Sequence, residues 1–116
     1  MLSKDNRLKK RKSFNYIYRK GRVVGGEHLT LVFVYARVKH VKVGFSVSKK
    51  VGNSVVRHRA TRKMRAACRP LVAQIRDNHT IIFVAKEGID KAHTNDIGKS
   101  MEKVLLKAGL LNSTGG

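Results

Sequence analysis

A cationic segment between Val43 and Arg65 carries the side chains with the clearest chemical role in this sequence. Seven of its 23 residues are Lys or Arg, and none is acidic. The wider stretch between Glu27 and Asp77 contains 12 Lys and Arg and no carboxylate. A helix stabilised by its own charges would alternate their signs to form i,i+4 pairs. The segment therefore predicts a surface that binds a polyanion.

The composition of the 116-residue chain favours the same class of partner. The formal net charge of +19 is far above what solubility requires, and it indicates nucleic acid more strongly than a membrane surface. No apolar run approaches the roughly 18 residues of a spanning helix, and the basic start lacks the apolar core of a secretory signal. The single cysteine, Cys68, permits no internal disulfide and no cysteine-rich zinc site. We expect a cytoplasmic protein with no membrane partner and no small-molecule ligand.

Hydrophobic periodicity predicts the strands that position this segment. Apolar runs over 29–36 and 79–86 are typical of buried strands, and 41–48 alternates as a half-buried strand does. Its polar side consists of Lys42, Gly44, Ser46 and Ser48, and its apolar side should lie on a helix. Residues 37–40 are a predicted turn.

The main helix is predicted to begin at Asn53 or Ser54, either of which can cap it. Its apolar arc consists of Val56, Ala60, Met64, Ala67, Cys68, Leu71 and Ile75. Arg59, Arg62, Lys63 and Arg65 fall on the opposite side, and Arg57 lies near the border. Pro70 predicts a kink or break near Arg69, with helix resuming to Arg76.

The ends of the chain complete the predicted organisation. Residues 1–12 form a basic flexible arm, 13–111 a single RNA-binding domain, and 112–116 a disordered tail. Ser13 is the predicted cap of a short helix through Lys20, on which Phe14 and Tyr18 share a face. Thr94 or Asn95 should cap a last helix that ends at Gly109 and buries a stripe of Ile97, Met101, Val104, Leu105 and Ala108.

An active site belonging to the protein alone is not indicated. The seven acidic residues form no convincing pair for acid–base work or two-metal hydrolysis, and the five His lack metal-ligand spacing. The stretch 44–50 lacks the second glycine and the ending of a phosphate-binding loop. Cys68 lies on the apolar arc, where a packing role is expected. Phe14 and Tyr18 fit either a core or a base-stacking platform.

In order, the chain has a basic arm, a short aromatic helix, the run SVSKKVGN before an Arg-x-Arg helix start, and then IIFVAK. This order resembles the protein subunit of bacterial ribonuclease P across roughly residues 7–108. The resemblance implies an α/β (α+β) two-layer sandwich. Its central mixed sheet has about four strands, a long basic helix in a βαβ crossover, a short N-terminal helix and a C-terminal helix.

The same resemblance implies a function. The protein would bind a large catalytic RNA and assist endonucleolytic removal of the 5′ leader from precursor tRNA, with hydrolysis carried by Mg²⁺ held mainly by the RNA subunit and substrate. Its RNA-binding set would be Lys49, Lys50, Asn53, Arg57, His58, Arg59, Arg62, Lys63 and Arg65. Its leader-binding cleft would be formed by Phe14, Tyr18, Ser46 and Ser48.

Three positions depart from the family pattern, and one of them is Pro70, which is unusual for this helix. His58 stands where the family's Arg-Asn-Arg signature has an amide, between Arg57 and Arg59. Thr61 stands where a Lys-Arg pair, completed here by Arg62, has its lysine. Three other interpretations remain: a structural ribosomal RNA-binding protein, a self-sufficient nuclease, and a helix-turn-helix DNA binder. The nuclease lacks carboxylates, and the DNA-binding motif would need a partner helix before the basic helix.

Overall fold

The structure, a computed structural model, describes residues 11–35 and 41–111 and consists there of three α-helices and four strands. In chain order these are α1 (Arg11–Lys20), β1 (Arg22–Gly25), β2 (Leu29–Tyr35), β3 (Lys42–Ser46), α2 (Ser54–Cys68), β4 (His79–Ala85) and α3 (Thr94–Ala108). Two 3₁₀ segments, Arg69–Gln74 and Ile89–Lys91, follow α2 and precede α3. The predicted turn at 37–40, the tail and most of the arm lie outside the described residues.

The four strands form one mixed sheet in the order β1-β2-β4-β3. β2 pairs antiparallel with both β1 and β4, whereas β3 pairs parallel with β4. Because α2 connects the parallel neighbours β3 and β4, the predicted mixed sheet and βαβ crossover are confirmed. β2 and β4 are the central strands, which explains why their sequences are almost continuously apolar.

The main core lies between one face of the sheet and the pair α2 and α3. The buried side chains of α2 are Ala60, Met64, Ala67 and Cys68, and those of α3 include Ile97, Met101, Val104 and Leu105. These pack against Leu31, Ile81 and Phe83 of the central strands. The helical spacing in the sequence predicted both buried faces, and each large side chain buried there contributes roughly 1.5–3 kcal/mol.

The other face of the sheet carries a much smaller core. Ile17 of α1 is buried against Val32 and Ile82, with Phe14 at the margin of this cluster. Alternation along each strand places Val32 and Ile82 opposite their neighbours in the main core. α1 contacts β2 and β4, so it covers only part of this face.

Several helix ends differ from their predicted positions. α1 begins at Arg11, which places Ser13 inside the helix, since Arg and Lys are good helix formers and extend it upstream. His93 occupies the N-cap position of α3 without a side-chain bond, so Thr94 and Asn95 are helical residues. The predicted stop at Gly109 is confirmed, because this residue adopts the left-handed conformation at φ 74°.

The region after Cys68 also differs from prediction. The break at Pro70 occurs as expected, but a 3₁₀ segment to Gln74 follows it in place of an α-helix to Arg76. Proline has no N–H to donate to the carbonyl four residues earlier, and the 3₁₀ turn is a common alternative where an α-helix ends.

The connection before α2 begins earlier than predicted. β3 ends at Ser46, and the carbonyl of Ser48 accepts a hydrogen bond from Val51 N at 3.1 Å in the following turn. Ser48 therefore belongs to the approach to α2 and not to the strand.

Candidate nucleic-acid interface

A well-defined cap fixes the start of α2. Asn53 is the N-cap residue, and its Oδ1 accepts a hydrogen bond from Val56 N at 3.0 Å, as predicted. The preceding Gly52 packs so closely that a Cβ there would lie 2.7 Å from Val56 Cγ1. This contact holds the connection from β3 against the first turn of the helix.

The N-terminal end of α2 is electropositive. Lys49 and Lys50 are exposed in the turn before it, and its first turn contains no acidic residue. The helix dipole and the unpaired N–H groups of this end already favour an anion. Arg57, at the end of the first turn, adds positive charge where the dipole disfavours it, and Arg59 adds more in the next turn, so this end is better suited to hold phosphate than to stabilise the helix.

A shallow groove of about 460 Å³ runs along the outer side of α2. It is lined by Val55, His58, Arg59, Arg62, Lys63 and Ala66 of α2, and by Thr94 at the start of α3. Four residues of the predicted RNA-binding set therefore share one concave surface. The sequence pattern did not indicate Thr94, because only the packing of α3 beside α2 brings it there.

Lys63 also has a structural role that the sequence did not reveal. Its Nζ donates hydrogen bonds to the backbone carbonyls of Asp90 at 2.6 Å and Ala92 at 2.9 Å. These bonds fasten the segment between β4 and α3 to the side of α2. The charge of Lys63 stays at the wall of the groove, but two of its three donors are used within the protein.

Arg57 and Arg65 lie on the other flank of α2 and do not line the groove. Both are half-buried, and Arg57 Nε is buried without a hydrogen-bond partner within the described residues. Between them, Thr61 Oγ1 donates to the carbonyl of Arg57 at 3.0 Å. The Thr61 hydroxyl is thus used inside the helix.

The four residues predicted for the leader cleft do not all lie together: Phe14, Tyr18 and Ser46 belong to α1 and β3, whereas Ser48 lies in the turn after β3. Phe14 packs beside the small cluster that also contains Val84, and Ser46 is paired in register with Val84. Phe14 and Ser46 therefore flank the same open face of the sheet. Tyr18 is 44% exposed on α1. Ser48 is exposed beyond the end of β3, next to Lys49.

The described part of the chain brings together no group of three or more His, Cys, Asp or Glu that could hold a metal ion. Burial raises the pKa of the Cys68 thiol to about 12, which keeps it protonated and unreactive at neutral pH. None of the described helices is long and apolar enough to cross a membrane.

Comparison with known proteins decides which family this arrangement represents. Residues 2–109 match the family described as Ribonuclease P. The chain belongs to the ribonuclease P protein family. It is 32% identical to the ribonuclease P protein component of Alkaliphilus metalliredigens, over 96% of this chain and all of that protein. A Thermoanaerobacter ribonuclease P protein component is 34% identical over 90% of each chain.

Solved ribonuclease P proteins share the fold. The Staphylococcus aureus ribonuclease P protein superposes with a TM-score of 0.81 at 31% identity, covering 92% of this chain and 98% of that one. The protein from Thermotoga maritima has a TM-score of 0.77 at 18% identity, covering 87% and 96%, and supports the fold alone. Family membership connects the chain with the tRNA-processing ribonuclease P complex, and the ribosomal-protein interpretation is not supported.

Proposed function

We propose that the chain binds the ribonuclease P RNA subunit through α2 and the turn before it. The proposed contacts are Lys49, Lys50, Asn53, Arg57, His58, Arg59, Arg62, Lys63 and Arg65. The observation that carries the proposal is the groove in which Arg59 and Arg62 are exposed, along a helix whose first turn has no carboxylate. Such a surface is costly for folding and favourable for phosphate.

A second part of the proposal concerns the precursor tRNA. The 5′ leader is unpaired, so its bases can stack on aromatic side chains. Tyr18 is exposed, while Phe14 is partly buried. Tyr18 therefore offers more free ring surface, and Phe14 forms the floor of the cleft beside it. Ser46 and Ser48 would contact the strand with their hydroxyls.

Hydrolysis itself belongs, in this proposal, to the RNA. The described part of the protein offers no cluster of carboxylates, so Mg²⁺ would be held mainly by the RNA subunit and the substrate. The protein contributes positive charge, which offsets repulsion between the two RNA molecules. It also contributes contacts to the leader. The cytoplasm is the compartment that we propose for this reaction.

The division of labour is tested by precursor-tRNA cleavage with RNA and protein, separately and together. We expect no specific cleavage by the protein alone at any Mg²⁺ concentration. Added to the RNA at low salt and modest Mg²⁺, the protein should strongly raise cleavage at the mature 5′ end, and the benefit should shrink as salt rises. Specific cleavage by the protein alone, abolished by mutating one of its carboxylates, would contradict the proposal.

The leader contact is tested by Tyr18→Ala, with Tyr16→Ala as its matched control. Both tyrosines are on α1 and similarly exposed, at 44% and 48%. Tyr18→Ala should weaken binding of precursor tRNA by about 1–3 kcal/mol and leave mature tRNA unaffected, because only the precursor has an unpaired leader. No loss from Tyr18→Ala, or the same loss from Tyr16→Ala, would contradict a specific contact between Tyr18 and the leader.

A further inference from the structure

A second basic surface lies on α3, apart from the groove on α2. Lys99, Lys103 and Lys107 are exposed and recur every four residues, which places them on one side of the helix. They line a cleft of about 610 Å³ between α3 and the turn that joins β1 to β2. α3 packs on β1 and β2, whereas α2 packs on β3 at the other edge of the sheet. The two basic surfaces therefore lie on different sides of α3: the groove lies between α2 and the start of α3, and the cleft lies between α3 and the β1–β2 turn.

The lysine row does not serve the stability of α3. Like charges spaced i,i+4 destabilise a helix by about 0.2–0.5 kcal/mol per pair. Within the described ranges, none of the three lysine side chains has a hydrogen bond or an ion pair, although Glu27 and Asp96 also line the cleft. Only Lys107, in the last turn, is favoured by the helix dipole.

Two glycines of the β1–β2 turn, Gly25 and Gly26, form part of the cleft opposite α3. A Cβ at Gly26 would lie 2.7 Å from Val104 Cγ1, so the turn packs directly on α3. Ser100 Oγ accepts a weak hydrogen bond from His28 N at 3.4 Å and ties the turn to the helix. Gly25 has no neighbour within 4 Å of a Cβ position and leaves the rim open. Lys86 Nζ donates to the carbonyl of Gly26 and brings a fourth cation to this turn.

The lining of the cleft indicates which part of a nucleic acid it fits. Among the described residues that line it, none is Phe, Tyr or Trp, and the imidazole of His28 is the one aromatic ring, so it offers little surface for base stacking. A row of ammonium groups beside exposed backbone suits phosphates that follow one another along a chain, without regard to sequence.

We propose that Lys99, Lys103 and Lys107 form a second phosphate-binding surface, which contacts a backbone segment of ribonuclease P RNA different from the segment bound by α2. This inference rests on the proposed function, because it takes the RNA subunit as the partner. With one surface along α2 and the other between α3 and the β1–β2 turn, the protein bridges two segments of the folded RNA.

The test uses the full-length protein and the ribonuclease P RNA. The variant Lys99→Ala/Lys103→Ala/Lys107→Ala is compared with Arg69→Ala/Arg76→Ala/Lys91→Ala, which removes the same charge from exposed residues that line neither surface. The α3 variant should bind roughly tenfold or more weakly at low salt, and its slope of log affinity against log salt should fall by about 2 to 3 units. The matched variant should lose clearly less on both measures.

Backbone footprinting of the bound RNA distinguishes the two surfaces. The α3 variant should lose protection at one RNA segment, and Arg59→Ala/Arg62→Ala should lose it at another, with additive free energies when the two are combined. Urea unfolding should show that the α3 variant is at least as stable as the wild type, because the repulsion between the lysines is removed. An α3 variant that matches the control in affinity, salt slope and footprint would overturn the inference. If the wild-type protein still bound the RNA normally, the proposed function would be unaffected. Absence of wild-type binding to this RNA would reject both.

Discussion

α2 and α3 are both 15 residues long and lie side by side on one face of the sheet, but their charges follow different rules. α3 begins with Asp96 in its first turn, has Lys107 in its last turn, and ends at a left-handed glycine. Each of these features stabilises a helix. α2 has no acidic residue in its first turn and places Arg57 and Arg59 near its start.

The difference between the N-terminal ends of α2 and α3 shows how charges that serve binding can be distinguished from charges that stabilise a helix. The buried faces of the two helices are equivalent, so packing does not explain the charges of α2. A helix end that departs from favourable electrostatics, while its buried side obeys the ordinary rules, indicates that the departure serves a ligand. The lysine row of α3 is a weaker case of the same kind, because the ends of that helix remain conventional.

The largest expected effect tests whether the buried faces are equivalent. Met64 of α2 and Met101 of α3 are both fully buried. Each change to Ala should lower the free energy of unfolding by about 2–5 kcal/mol, through lost burial and a residual cavity. Urea denaturation measures both. If Met64→Ala lowered the free energy of unfolding by only a small fraction of the loss caused by Met101→Ala, the two buried faces would not be equivalent. Packing against the core would then contribute little to the position of α2.

A smaller effect separates two adjacent cations of α2. Lys63→Met should lower the free energy of unfolding by about 1–3 kcal/mol, because the carbonyls of Asp90 and Ala92 lose a charged donor. Arg62→Met, at an exposed position, should change it by no more than about 0.5 kcal/mol. Both variants are measured by urea denaturation. Equal costs would mean that Lys63 does not fasten the β4–α3 connection.

The smallest effect addresses the helix dipole directly. Val55 is 65% exposed in the first turn of α2, so Val55→Glu should raise the free energy of unfolding by about 0.3–1 kcal/mol. Asp96→Asn in the first turn of α3 should lower it by a similar amount. Thermal and urea unfolding at low salt measure both changes. If Asp96→Asn stabilised the protein, or Val55→Glu destabilised it, the helix dipole would not explain the difference in charge between the two helix starts.

The sequence was most informative where burial repeats with a regular period. The apolar runs of β2 and β4 and the stripes on α2 and α3 were predicted correctly, because each reflects one buried face. β1 was missed, since an edge strand of four residues with Val23 64% exposed has no such alternation. The 3₁₀ segment after Pro70 was missed because proline marks where an α-helix ends without specifying the conformation of the next residues.

The sequence predicted which residues give the candidate site its positive charge, but not which of them lie on the same surface. Residue types and spacing identified the cations of α2, and family resemblance named their partner. The division of Arg57 and Arg59 between two flanks depends on how far each position is rotated from the core. The second role of Lys63 depends on Asp90 and Ala92, which are distant in the sequence, and no local pattern reports such a contact.

The most direct test of the central claim measures RNA affinity and folding stability in the same variant, Arg59→Ala/Arg62→Ala. The matched control is Arg69→Ala/Arg76→Ala, which removes two exposed charges outside the groove. The groove variant should bind ribonuclease P RNA roughly tenfold or more weakly, with a salt slope reduced by up to about 2 units, while its free energy of unfolding stays within about 0.5 kcal/mol of the wild type. Unchanged RNA affinity together with a marked loss of stability would contradict the claim that these charges serve the RNA and not the fold.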